Sequence, residues 1–245
     1  MGKIIALVSG KGGTGKTSFT ANTAIALSHM GYRVLCLDCD VTLRKLDLAL
    51  GLSDRAVMDF SDVIQGRCTL EDALAAHPVY ETLSLLAAPL VNGQLDITTE
   101  QMISLGREIR ERFDFCLVDS PAGLGQGFSL ATAMADSAVV ITTTDVSALR
   151  DAQRTVMELS RFPKGKLHVV VNRVERKVLR NLHTNIDDAI DMAGLPLLGV
   201  VPEDKDLPYC LNRGIPLRQF SYYAAHAYDN IAKRIAGQKV PLMKI

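Results

Sequence analysis

The fold class predicted from this sequence is α/β: one doubly wound, mostly parallel sheet with helices on both faces. Three observations carry that expectation. Short apolar runs rich in β-branched residues recur along the 245 residues, helix-patterned stretches separate them, and several runs are apolar throughout instead of alternating. Unbroken apolar strands belong to parallel sheets covered on both sides, and strands that alternate with helices build such a sheet.

Taken in order, strands are expected at 3–9 (KIIALVS), 33–38 (RVLCLD), 83–88 (LSLLAA), 115–120 (FCLVDS), 137–143 (SAVVITT), 167–172 (LHVVVN) and 196–202 (PLLGVVP). A helix over 16–30 stops at Gly31, a residue suited to a helix C-cap. A second, over 99–112, puts Met102, Ile103, Leu105, Ile109 and Phe113 at helical spacing. A third, over 147–160, follows Asp145, and a fourth, over 221–236, puts Tyr223, Ala227, Ile231 and Ile235 on one face. Leu43, Leu46 and Leu50 are spaced for a short amphipathic helix, with Arg44, Lys45 and Asp47 outward. Nothing in the composition divides the chain, so 1–236 reads as one domain and 237–245 as a short tail. Such sheets bind ligands beyond the carboxyl ends of their strands, which here means just after ALVS, LCLD, CLVD, VVVN and GVVP.

The composition is that of a globular protein, 48% apolar and 22% charged, with Lys plus Arg and Asp plus Glu balanced at 27 each. That balance sets the chain as a whole apart from strongly basic nucleic-acid binders. No apolar run approaches the roughly 20 residues that span a bilayer. The run from Ile4 to Val8 is too short for a signal-peptide core, and Ala6 breaks the myristoylation pattern. The expected setting is cytoplasmic. An odd number of cysteines, five, fits reduced thiols there. Cys36 and Cys39 form a C-x-x-C at a strand end, but no second pair completes a zinc site. Cys36 is expected in the core and Cys39 in a loop.

The chemistry starts at Gly10. GKGGTGKT fits G-x-x-x-x-G-K-[ST] through Gly10, Gly15, Lys16 and Thr17, after a strand and at the start of a helix. In that context glycines let the backbone curl around an anion, and amide N–H groups and the helix dipole face its phosphates. Lys16 is expected to neutralise phosphate charge and the Thr17 hydroxyl to ligate Mg²⁺. The fold class is then the P-loop NTPase type. Asp119 ends FCLVD as a strand-end carboxylate of the Walker B kind, and Gly123 in the following DSPAG is free to approach a γ-phosphate. Asp38 and Asp40 end the second strand, where a carboxylate can orient an attacking water.

KGGTGKT, Lys11 to Thr17, resembles the deviant Walker A motif of the MinD/ParA family of ATPases, whose signature is the additional lysine. DCDVTLRKLDLALG resembles switch I of MinD-like members, VMDFSDVIQG (57–66) the stretch after it, DSPAG switch II, and VVPED (200–204) the adenine-side loop. The matches run in order over nearly the whole chain. The resemblance implies a Mg²⁺-dependent ATPase that acts as an ATP-dependent homodimerisation switch, with slow, partner-stimulated hydrolysis, in division-site placement. It implies that Lys11, Gly12, Gly13, Thr14, Gly15, Lys16, Thr17 and Ser18 hold the phosphates of ATP. At the base it implies Asn172, Pro202, Glu203 and Asp204. Lys11 would cross a two-fold interface to the nucleotide of a second copy, acting in catalysis with Lys16 and with Asp40, which would position the attacking water. Thr17, Asp38 and Asp119 would support the metal. Regulatory proteins of the MinC/MinE kind are the implied partners. No N-K-x-D motif supports guanine specificity.

Two departures from the family pattern stand out. Thr42 and Lys45 occupy positions where MinD-like members commonly carry glycine and asparagine. MinD-like chains also commonly end in a basic amphipathic helix that docks on membrane, whereas this one ends AGQKVPLMKI. Val240, Leu242, Met243 and Ile245 are apolar and Lys239 and Lys244 basic, but Pro241 interrupts a segment already short for an interfacial helix. A frayed tail and a weak peripheral contact with the inner face of the cell membrane both stay open. The run NRVERKVLR, with Arg173, Arg176, Lys177 and Arg180, is expected as a solvated helix face; a DNA-facing patch, as in ParA relatives, is the alternative. DNA is not the expected partner. A DNA-partition ATPase and a flagellar or pilus-positioning ATPase are the rival readings. An iron–sulfur carrier on this fold is set aside, because DSPAGLGQGF carries no cysteine.

Overall fold

Among the described residues, eight strands form one sheet in the order β3-β4-β2-β5-β1-β6-β7-β8. The computed structural model describes residues 1–90, 95–163, 165–175, 190–191 and 193–242. The strands are β1 (Lys3–Val8), β2 (Val34–Asp38), β3 (Ala75–Ala76), β4 (Leu83–Leu86), β5 (Phe115–Asp119), β6 (Ser137–Thr142), β7 (Leu167–Val174) and β8 (Leu197–Pro202). All pair in parallel except β3, which runs antiparallel to β4. The helices are α1 (Lys16–His29), α2 (Leu46–Leu50), α3 (Phe60–Ile64), α4 (Leu70–Ala73), α5 (Thr99–Arg112), α6 (Gln126–Ala133), α7 (Val146–Glu158), α8 (Leu207–Arg213) and α9 (Tyr222–Ile235).

The central strands β1, β2 and β5 are largely apolar because each contributes to two cores. Ile5, Leu7, Cys36 and Leu117 meet Phe19 and Leu27 of α1 and Tyr228 and Ile231 of α9. Ile4, Leu35, Leu37, Cys116 and Val118 point the other way, onto Met102, Leu105 and Ile109 of α5. Burying each of these large side chains contributes about 1.5–3 kcal/mol, enough to override the weak propensity of any one segment. Local signals fix the ends. Gly31 takes the left-handed φ of 88° beyond α1. Thr98 and Gln101 form a reciprocal capping box at α5, and Asp59 and Asp62 do the same at α3.

Several side-chain expectations are corrected. On α2 the buried residues are Leu46, Asp47, Ala49 and Leu50, while Leu43 is exposed. Arg44 and Asp47 face inward because they satisfy each other: Arg44 Nε lies 3.2 Å from Asp47 Oδ2, and Nη2 donates to the Ala56 carbonyl at 2.7 Å. These bonds hold Arg44 at a φ of 37°, which a residue with a side chain adopts only under constraint. On α9 the inward stripe is Ala224, Ala227, Tyr228 and Ile231, so Tyr223 is exposed rather than in the core. On α5, Ile103 is on the solvent side of an otherwise correct stripe. Arg173 belongs to strand β7, not to a helix face.

Arg176, Lys177 and Arg180 lie outside the described residues, as do Met243, Lys244 and Ile245. Up to Leu242 the tail is tied back. Arg234 donates to the Val240 and Pro241 carbonyls at 3.2 and 2.8 Å, and to the Leu198 carbonyl of β8 at 2.8 Å. Among the described residues no helix is long and apolar enough to cross a membrane.

Candidate nucleotide and metal site

The carboxyl ends of the central strands β2, β5, β1, β6 and β7 meet at one edge of the sheet, and the 10–17 loop closes over it between β1 and α1. Gly13 and Gly15 hold φ of 82° and 83°, a left-handed conformation that glycine adopts without a Cβ penalty. No side chain caps α1, and its first turn carries no acid. Its leading N–H groups, with the positive end of the helix dipole, are therefore presented to whatever the loop encloses. Thr14 is buried, and its Oγ1 has no hydrogen-bond partner. A buried hydroxyl without a partner is unusual in a settled core and fits a place where a ligand oxygen belongs. The loop borders an open cleft of about 500 Å³ whose other wall is Thr143–Asp145, Arg173, Glu175 and Glu203.

Behind the loop, Lys16, Thr17 and Thr20 converge on Asp119. Thr17 Oγ1 donates to Asp119 Oδ2 at 2.6 Å, Thr20 Oγ1 lies 3.2 Å from Oδ1, and Lys16 Nζ lies 4.0 Å from Oδ1. Asp38 lies directly across the sheet, in register with Asp119, and both are 1% exposed. Asp38 accepts the N–H groups of Asp40 at 2.8 Å and Leu46 at 3.2 Å. Burial, aided by the neighbouring Asp119, pushes the Asp38 carboxyl up to about 8. Burial also raises Asp119, against the pull of Lys16 and the Thr17 and Thr20 hydroxyls. Two buried acids side by side form a place for a hard cation. Among the described residues no group of three or more His, Cys, Asp or Glu is arranged to hold a metal by itself. A small hard ion such as Mg²⁺ keeps several waters and binds through one or two carboxylates plus phosphate oxygens. Thr17, Asp38 and Asp119 fit such an ion.

The remaining sequence candidates are distributed around this centre. Asp40 folds its carboxylate onto its own turn, accepting the N–H groups of Thr42 and Leu43 at 3.2 and 3.1 Å. Lys11 is exposed and donates to Ser147 Oγ at 2.8 Å, at the start of α7. Gly12 and Gly13 are exposed in the loop, and Ser18 is half-buried in the first turn of α1. Pro202 ends β8, Glu203 is exposed beside the cleft, and Asp204 Oδ1 accepts the Asp206 N–H at 2.9 Å. Asn172 is 1% exposed, and its Nδ2 donates to the Thr14 carbonyl at 2.8 Å. It braces the phosphate loop from behind. Arg173, in sequence only one member of a basic run, reaches the loop as well. Its Nη1 donates to the Gly13 carbonyl at 2.9 Å while Nε and Nη2 pair with Glu203 at 2.9 and 3.2 Å. The available signal was its place: it directly follows Asn172 at the carboxyl end of a parallel strand. Thr20 and Ser147 had no comparable signal.

Residues 5–217 match the profile described as the CobQ/CobB/MinD/ParA nucleotide binding domain. The chain belongs to this family. Its sequence is 37% identical over 246 aligned positions to the septum site-determining protein MinD of Synechocystis, covering 99% of this chain and 92% of that protein. Among family members of known structure, MinD in the MinC:MinD cell division protein complex of Aquifex aeolicus superposes with a TM-score of 0.89 at 35% identity, covering 98% of each chain. Septum site-determining MinD of Pyrococcus horikoshii, complexed with Mg-ADP, superposes with a TM-score of 0.80 at 30% identity and 96% coverage of each chain. Family membership and the cleft agree: this is a P-loop NTPase fold of the MinD/ParA type.

Proposed function

We propose that this chain is an ATP-dependent dimerisation switch of division-site placement, with slow, partner-stimulated ATP hydrolysis that requires Mg²⁺. The observation that carries the reading is the uncapped, acid-free start of α1 beneath a glycine loop, with Lys16 and Thr17 gathered on Asp119. The MinD relatives support the cellular role, and the Mg-ADP complex of a relative supports the cofactor.

Each residue then has a task. The loop amides and Lys16 bind the phosphates. Thr17, Asp38 and Asp119 hold Mg²⁺, which supplies charge neutralisation on the phosphate oxygens. Asp40 orients the attacking water once its carboxylate leaves the Thr42 and Leu43 amides. Pro202, Glu203 and Asp204 flank the base, with Asn172 at its inner end. Lys11 leaves Ser147 and crosses to the phosphates of a second copy, so that dimerisation completes the site. A regulatory protein of the MinC/MinE kind is the partner that speeds hydrolysis. The tail is a minor peripheral membrane contact, held back by Arg234 until it is released.

The test is light scattering after size exclusion, with ATP and with ADP, joined to liposome sedimentation under the same conditions. A dimer with ATP and a monomer with ADP are expected, and Lys16→Ala should bind neither nucleotide. Tight ATP binding by Lys16→Ala would sink the phosphate-loop reading. A shortened chain ending at Gly237 shows whether any liposome signal belongs to the tail.

A further inference from the structure

The two ends of the nucleotide cleft are joined a second time, on the outside of the domain. Asp206 follows the base-side residues 202–204 and opens α8, whose seven residues run about 10 Å. The helix ends at Gly214, with φ 60°. On the other side, α2 carries switch I. Asp38 holds its first residue through the Leu46 N–H, and it ends at Gly51, with φ 68°. The two left-handed caps are pressed backbone to backbone. A Cβ on Gly214 would fall 2.2 Å from Gly51 Cα and 2.6 Å from its nitrogen, and a Cβ on Gly51 would fall 3.0 Å from the Gly214 carbonyl oxygen. Leu46, Leu50, Cys210 and Leu217 pack in the same core, so neither helix moves there without the other.

We propose that the Gly51–Gly214 contact transmits occupancy of the base subsite to switch I, so that α2 and the Asp38 and Asp40 segment adopt their working position only when a base seats against residues 202–204. The inference rests on reading the cleft as an ATP site. Phosphates act on Asp119 and Thr17 directly through the loop, whereas the base acts on the opposite side of the metal centre through α8, the glycine pair and α2. Gly51 and Gly214 are positioning residues: neither lines the cleft, and each is glycine because the partner backbone occupies the space of a side chain. A nucleotide lacking the correct base would still bind by its phosphates yet leave switch I unset.

The experiment compares Mg-ATP with Mg-tripolyphosphate, each at saturation, by hydrogen exchange of residues 42–50. In the natural chain ATP should slow exchange there by about tenfold more than tripolyphosphate, a coupling of ordinary allosteric size. In Gly214→Ala that difference should fall below about twofold while the ATP Kd stays within about threefold. Gly31→Ala is the control for backbone strain alone: Gly31 has φ 88° and nothing within 4 Å of an added Cβ. It should keep the full difference. If Gly214→Ala does not fold, Gly51→Ala, with its shallower 3.0 Å contact, is read in its place and should show the same loss. An undiminished difference in the variant that is read, or no difference in the natural chain, overturns the proposal. Binding of ATP without binding of tripolyphosphate in calorimetry would also overturn it, whereas failure of the natural chain to bind ATP would instead overturn the nucleotide-site reading on which it rests.

Discussion

Replacing Asn172 with alanine separates two jobs for that residue. In the structure its Nδ2 donates to the Thr14 carbonyl at 2.8 Å and approaches the Gly15 carbonyl at 3.4 Å, in a position that is 1% exposed. Family resemblance assigns it to the base instead. Removing the amide forfeits a net hydrogen bond of about 1 kcal/mol and leaves a buried carbonyl unpaired at about 1–3 kcal/mol more. A loss near 3 kcal/mol lowers Tm by roughly 6–12 °C in a chain of this size. The loop it braces is also the phosphate cradle, so about 1.4 kcal/mol of that loss appearing in binding weakens the phosphates tenfold. Thermal unfolding without nucleotide, and calorimetric titration with Mg-tripolyphosphate beside Mg-ATP, measure both. Bracing predicts a lower Tm and a similar loss for both ligands. An unchanged Tm with intact tripolyphosphate binding and weakened ATP binding would refute the bracing argument and leave Asn172 a base reader alone.

Other outcomes follow from the same geometry. The folded, metal-free chain keeps a proton on Asp38 up to about pH 8, whereas an unfolded aspartate releases it near 3.9. The native state therefore binds more protons between those values, and stability falls as pH rises through the window. Asp38→Asn removes that dependence. In EDTA its stability relative to the natural chain should climb between pH 5 and pH 8 by up to about 4 kcal/mol, or roughly 7–15 °C in Tm; a flat difference would contradict it. Arg44→Ala strands Asp47, which is 9% exposed at its side chain, and should cost about 3 kcal/mol or more by denaturant titration. Arg44→Lys should recover little of this, because a single ammonium does not reproduce the fork to Asp47 and the Ala56 carbonyl. Lys11→Ala should leave monomer ATP affinity nearly unchanged and abolish the ATP-dependent dimer in light scattering; an unchanged dimer would remove the cross-interface role.

Much of the fold was legible because the strands and the longer helices are written in apolar runs that need no context. The structure begins β5 at Phe115 and α5 at Thr99, where the pattern puts them. What stayed hidden obeyed other rules. Helix α6 follows a glycine-rich turn, and Gly127 within it is required by Pro121, whose Cγ would lie 2.4 Å from a Cβ there. Strand β3 is two alanines, too short for any periodicity. Within the site, Lys16, Thr17 and Asp119 were visible from spacing and strand ends, and the structure brings them together. Sequence pattern points Arg44 and Asp47 outward because charge usually faces water, but a mutually satisfied pair can turn in. Lys11 is the opposite case, since its contact in the single chain, Ser147, is 136 positions away in sequence.

Asp38 and Asp119, set in register on adjacent strands, also bear on how readily the fold opens. An empty molecule carries the cost of the two acids; one loaded with nucleotide and cation does not, and gains binding free energy as well. Transient opening, which exposes a chain to proteases and chaperones, is therefore most frequent in empty molecules. On the proposed reading, the site's occupant then sets how often the fold opens as well as what the protein does: filled copies resist unfolding more than empty ones.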